Sequence, residues 1–149
     1  MKKLFSSGAL MLIVLTGGIM TGCEKNSDEI NFTVGFKSMD YELGQDLEII
    51  VNTFDEWDIL KPDYAMVTEF DKYNKQFFVN NSLIVYAFTR GSGGGQVEVT
   101  KVSKRGNELI VDVIHSDGVI DVVTYGIIIV EVKKTEIAGT NSLRIASND

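Results

Sequence analysis

Few residues of this chain carry groups able to do chemistry. There is one cysteine, Cys23, one histidine, His115, and a glycine run, Gly91-Ser92-Gly93-Gly94-Gly95, with Arg90 immediately before it. A nucleophilic triad needs a geometry that unpaired letters do not supply, and His115 has no thiol to activate once Cys23 is otherwise used. Zinc wants three or four nitrogen or sulfur ligands, more than one histidine can begin to provide. Asp117 and Asp121 flank His115 without the dense oxygen spacing of a calcium loop, and Asp117 within Ser116-Asp117-Gly118 already serves a turn. Asp55 and Glu56 are adjacent carboxylates of the kind glycoside hydrolysis uses in pairs, but at a helix start they have a sufficient capping role. Consecutive backbone donors in the glycine run could nest an anion. A phosphate loop, however, needs Gly-Lys-Ser/Thr at a helix start, and a dinucleotide loop needs glycines between a strand and a helix. Here strands are predicted on both sides, which makes the run a hairpin connector or a protein-contact loop, with Arg90 placed to attract an acidic partner. No catalytic residue, metal or cofactor follows, and His115→Ala is expected to leave the fold nearly unchanged.

The start of the chain has its own logic. Lys2 and Lys3 form a basic end, Ala9-Leu10-Met11-Leu12-Ile13-Val14-Leu15 an apolar centre, and Thr16 to Gly22 a small-residue run, the three parts of a secretory signal. The apolar part is shorter than the roughly 20 residues that span a bilayer. Met20-Thr21-Gly22-Cys23 resembles a lipobox, at which a diacylglyceryl group, carrying fatty acids such as palmitate, is attached to the cysteine sulfur before cleavage. Each buried methylene contributes about 0.8 kcal/mol, so one acyl chain binds marginally and two hold a small domain. Residues 1–22 are therefore expected to be removed and Cys23 to anchor the product to the cell membrane, facing outside the cytoplasm. What remains is 149 − 22 = 127 residues, enough for one domain with a core. The signal removes two of 14 basic residues and none of 21 acidic ones, leaving a formal charge of 12 − 21 = −9. Such a surface repels nucleic acid, which is excluded as a partner, and anionic lipid headgroups.

Residues 23–31 are polar and are predicted to be a flexible tether, and 32–149 to be the folded domain. Phe32–Phe36 and Leu47–Val51 alternate as half-buried strands do. Thr53-Phe54-Asp55-Glu56 fits a capping box that opens a short helix to about Leu60, before Pro62. Phe70, Tyr73 and Phe77 at helical spacing predict a second short helix over Thr68–Phe78, its aromatics packed into the core. Leu83–Phe88 is apolar on both faces, as a central strand is. In Gln96–Ser103 the parity changes between Val99 and Val102, which predicts a bulge near Thr100 or Lys101. Arg105-Gly106-Asn107 turns the chain into Leu109–Ile114, Val122–Val132 holds the last long strand, and an edge strand is predicted near Leu143-Arg144-Ile145.

Taken in order, Asn81-Ser82-Leu83-Ile84-Val85, the glycine turn, Val97-Glu98-Val99-Thr100-Lys101-Val102, Asn107 to Val113 and Thr124 to Val132 resemble the C-terminal domain of the protease-complex subunit PrcB family over about residues 68–134. The turn departs from the family, with Gly91 to Gly95 in place of the more usual Thr-Gly-Gly-Tyr. The resemblance implies a non-catalytic accessory module of an exported protein and supplies no catalytic residue. Gly91-Ser92-Gly93-Gly94 also resembles the Gly-x-Gly-Gly loop of chagasin-like cysteine-protease inhibitors. Their two further loops contain proline, whereas Pro62 is the only proline here and lies in neither.

The sequence thus predicts an α+β domain, a single, mainly antiparallel sheet built chiefly from Leu83–Phe88, Gln96–Ser103, Leu109–Ile114 and Ile127–Val132, with two short helices on one face. In function it predicts a lipid-anchored protein-interaction module whose partner, another exported protein, docks at Arg90, Gly91, Ser92, Gly93, Gly94 and Gly95. Capture of a small ligand would instead need a deep apolar pocket beneath the helices. An envelope hydrolase would need converging carboxylates, and protease inhibition would use the glycine loop.

Overall fold

The computed structural model describes residues 28–40, 45–61, 68–91, 95–116, 118 and 123–148. Cys23, Ser92 to Gly94, Asp117 and Asp121 lie outside them. The elements run β1 (Asp28–Glu29), β2 (Phe32–Ser38), β3 (Leu47–Val51), α1 (Phe54–Leu60), a 3-10 turn (Thr68–Lys72), α2 (Phe77–Asn80), β4 (Asn81–Arg90), β5 (Val97–Arg105), β6 (Glu108–His115), β7 (Thr124–Lys133) and β8 (Ser142–Asn148).

The class is α+β and mainly antiparallel, with the short helices on one face. The strands do not form one sheet, however: they divide into β1-β5-β6-β8 and β2-β7-β4-β3. The four strands expected side by side fall two to each sheet. β4 pairs along its whole length with β7 and on its other side with β3, so β5 has no edge left to join. The glycine connection consequently carries the chain from one sheet to the other and is not a hairpin. One pair, β6 with the edge strand β8, is parallel.

Two apolar layers result. Between the sheets, Ile84, Phe88, Ile128 and Val130 of one sheet meet Val97, Val102, Leu109, Val111 and Val113 of the other. The opposite faces of β4 and β7 present Leu83, Val85, Ala87, Ile127 and Ile129 to Trp57, Phe70, Tyr73 and Phe78. Both long apolar strands are thus buried on both sides, as their sequence requires.

Local chemistry sets the remaining features. Thr53 Oγ1 accepts from Glu56 N at 3.2 Å while the Glu56 carboxylate accepts from Thr53 N at 3.1 Å and Asn52 N at 2.7 Å, a complete capping box. The bulge lies at Thr100, where the register passes from Val99↔Val113 to Lys101↔Asp112. The helix expected over Thr68–Phe78 is broken in two. Asn74 Oδ1 accepts from Gln76 N at 2.9 Å and Phe77 N at 3.2 Å, offering those amides a local partner that ends one turn and starts the next. The tether expected over residues 23–31 meets the fold earlier than predicted. Asp28 and Glu29 pair with Lys104 and Ser103, Ile30 N donates to the Val102 carbonyl at 2.9 Å, and Ile30 is 4% exposed in the inter-sheet layer, so backbone pairing and one buried isoleucine together dock the polar segment on the edge of β5.

Candidate functional site

The sandwich has two unlike ends. At one, the chain joins the fold beside Ser103 and Lys104, β5 turns into β6 through Gly106 at φ +63°, and Lys104 Nζ donates to the Ala138 carbonyl. At the other end lie Arg90, Val97, His115 and Thr124, from which the β4–β5 and β6–β7 connections spring. Along β5 the ends are separated by about 20 Å at roughly 3.3 Å per residue.

At this second end a cleft of about 570 Å³ opens between the sheets. Tyr86, Phe88 and Arg90 alternate on the β4 face that looks toward the other sheet, and all three line it. Glu48 on β3 is the cross-strand partner of Tyr86 and shares its face, and Asp46 precedes it. The other sheet contributes His115 at the end of β6 and Ser147 on β8. Arg90 and Gly91 therefore border one space with His115, which lies 24 residues further along the chain. Asp55 and Glu56 are not part of it and remain at the start of α1.

The cleft has an aromatic floor. The Tyr86 and Phe88 rings stack at 4.9 Å, and His115 sits edge-on to Phe88 at 4.9 Å. Phe88 is held by its cross-strand partner Gly126, where an added Cβ would lie 2.2 Å from the ring. The ring occupies the place of the missing side chain, a pairing signalled only by a glycine inside an otherwise strong β run. His115 is 8% exposed, and its Nε2 lies 3.5 Å from the Tyr86 hydroxyl. It is a packed residue, as expected. Its burial corrects the expectation for His115→Ala, which removes contacts from Phe88 and Tyr86 and costs about 1–3 kcal/mol.

Polar groups at the rim are unequal. Asp46 Oδ1 accepts from Thr89 Oγ1 at 2.8 Å, which fixes the carboxylate. Arg90 is already engaged with a neighbour. Glu48 is exposed and makes no hydrogen bond or ion pair among the described residues. Neither Asp46 nor Glu48 stood out in the sequence, since a carboxylate in a strand reads as a solvated face. The glycine run is not uniform either. A Cβ at Gly91 would meet nothing within 4 Å, whereas one at Gly95 would lie 2.1 Å from the Ser116 carbonyl. That approach is fixed by Ser116 N donating to the Gln96 carbonyl and Gln96 N donating to Ser116 Oγ, both at 2.9 Å, which tie the two connections together.

A strongly shifted titrating group lies away from the cleft. The Tyr73 hydroxyl donates to Glu131 Oε1 at 3.1 Å, and Lys72 Nζ lies 2.8 Å from the same oxygen. Burial, then the Glu131 charge and hydrogen bond, raise the Tyr73 pKa far above its ordinary value. A Cβ at Gly35 would lie 2.1 Å from that hydroxyl, so the glycine makes room for the pair. The group lies under the helices and joins layers together. Among the described residues no set of three or more His, Cys, Asp and Glu could hold a metal ion.

Comparison with known proteins finds no matching protein family, no matching curated protein and no matching solved structure.

Proposed function

We propose that the chain is anchored to the outer side of a cell membrane through lipid on Cys23 and acts as a non-catalytic accessory module, docking another exported protein at the end that carries Arg90 and the Gly91–Gly95 connection. The observation that carries the proposal is the position of β1. Only four residues separate Cys23 from Asp28, five steps with a reach of at most about 18 Å. Asp28 joins the sandwich at the end opposite the glycine connection. A domain tethered in this way holds its glycine loop, cleft and β6–β7 connection away from the bilayer, where a partner can meet them. The PrcB-like order of strands favours the same role. The space beneath the helices, where the alternative of small-ligand capture would need a deep apolar pocket, is packed with Trp57, Phe70, Tyr73 and Phe78. Among the described residues no helix is long and apolar enough to cross a membrane, so retention at the membrane would depend on the lipid.

Two arms test the proposal in cells. Metabolic labelling with a fatty acid should mark the wild type and not Cys23→Ala, which should leave the membrane fraction. Crosslinking should attach a partner to the wild type, and replacement of Gly93 and Gly94 by alanine should weaken it, while Arg105→Ala at the opposite end changes nothing. Unchanged fractionation of Cys23→Ala, or unchanged crosslinking of the glycine variant, contradicts the proposal.

A further inference from the structure

We infer that the cleft between the sheets is a seat for a basic side chain, an arginine or lysine, of the docking partner. The inference rests on the docking proposal above and names the chemistry of the contact. A volume of about 570 Å³ is ample for one long side chain with its flanking backbone. Tyr86 is half-buried, stacked on Phe88 and backed by the His115 ring, a wall of the kind along which the stem of an arginine or lysine lies. The charges at the rim select the sign of the occupant. Two carboxylates, Asp46 and Glu48, line the cleft against one guanidinium, Arg90, and the states of the three differ. Arg90 is already engaged, Asp46 is oriented by Thr89 with one oxygen used, and Glu48 is uncommitted among the described residues. An arriving cation therefore finds acceptors in place, whereas an arriving carboxylate would face Glu48 and have to compete for Arg90. This reverses the role suggested by Arg90 alone, which pointed to an acidic partner. The formal charge of −9 left after removal of residues 1–22 steers in the same direction.

The test uses the purified full-length chain, isotopically labelled for NMR, and three blocked pentapeptides: Gly-Gly-Arg-Gly-Gly and its counterparts with citrulline or glutamate at the centre. Citrulline keeps the shape of arginine and removes its charge. The arginine peptide should move the amide signals of Glu48, Gly91 and His115 saturably, with an affinity on the order of 1 mM for so small a probe. The citrulline peptide should bind about fivefold more weakly or worse, and the glutamate peptide should not bind. Glu48→Gln should weaken the arginine peptide about threefold and the double variant with Asp46→Asn about tenfold, as expected for partly exposed ion pairs. Both substitutions keep the size of the side chain, and asparagine still accepts from Thr89, so the signals of the core should not move. Equal binding of the arginine and citrulline peptides, preference for glutamate, absence of binding, or indifference to Glu48→Gln overturns the inference. If the peptide binds and crosslinking at the glycine connection fails, the docking proposal falls and the seat remains. If crosslinking succeeds and the peptide fails, the seat alone falls.

Discussion

The central sheet buries two faces, and they are finished differently. On the helix side, Trp57 meets Phe70 at 5.2 Å and Tyr73 at 5.3 Å, both edge-on, and Phe77 closes on Tyr73 at 5.1 Å. The Tyr73 hydroxyl in that layer is paired with Glu131, which Lys72 also contacts. On the other side, the layer between the sheets is aliphatic through most of its length and ends in Tyr86, Phe88 and His115 beneath an open cleft. The helix-side layer is thus closed by interlocked aromatics, with the Tyr73 hydroxyl paired internally. The inter-sheet layer instead ends in aromatic rings rimmed by carboxylates, and the proposed docking at that end rests on this contrast more than on any single residue.

The contrast is broken most severely by Trp57→Ala. Trp57 is 2% exposed and is the centre of the helix-side layer, so its loss should cost about 3–5 kcal/mol, read as a drop in the urea midpoint. Binding at the cleft should persist in whatever fraction stays folded. Gly126→Ala reaches the other layer. Its Cβ would lie 2.2 Å from the Phe88 ring, and pushing that ring aside should cost about 1–3 kcal/mol and, unlike Trp57→Ala, should abolish response of the His115 signal to the arginine peptide.

Tyr73→Phe sharpens the account of the helix side. Losing the hydrogen bond to Glu131 should cost about 1–2 kcal/mol. The pKa of Tyr73 is raised by folding, so the folded state holds its proton where the unfolded chain has begun to lose it. The associated stability is complete below the unfolded value of about 10 and declines as pH rises above it. Urea unfolding of the wild type should therefore weaken above about pH 10, and Tyr73→Phe should flatten that slope. The smallest effect belongs to Glu48→Gln, whose exposed side chain should change stability by less than about 0.5 kcal/mol while reducing binding of a basic peptide.

Much of this architecture could be read locally. The change of parity between Val99 and Val102 placed the bulge near Thr100 or Lys101, and it lies at Thr100, while Thr53 with Glu56 defined the start of α1 to the residue. Leu83 to Phe88 announced burial on both faces. What covers each face is not a local property: a strand apolar on both sides is the same whether helices or a second sheet lie over it, and so the division into two sheets went unread. Asn74 carried a signal, since its side chain competes for backbone amides, but the helical spacing of Phe70, Tyr73 and Phe77 obscured it. The cleft was the least legible feature. Glu48, Tyr86, His115 and Ser147 come from four strands, with Asp46 just before the first, spread over about a hundred residues, and only the fold makes them neighbours.

The claim that docking occurs at the end opposite the tether is tested most directly by placing one photoreactive amino acid at Gly91, where an added Cβ meets nothing within 4 Å, and separately at Arg105 beside the β5–β6 turn, then illuminating intact cells. The account predicts a discrete crosslinked protein from position 91 and none from position 105. A product from position 105 with none from position 91 would contradict it.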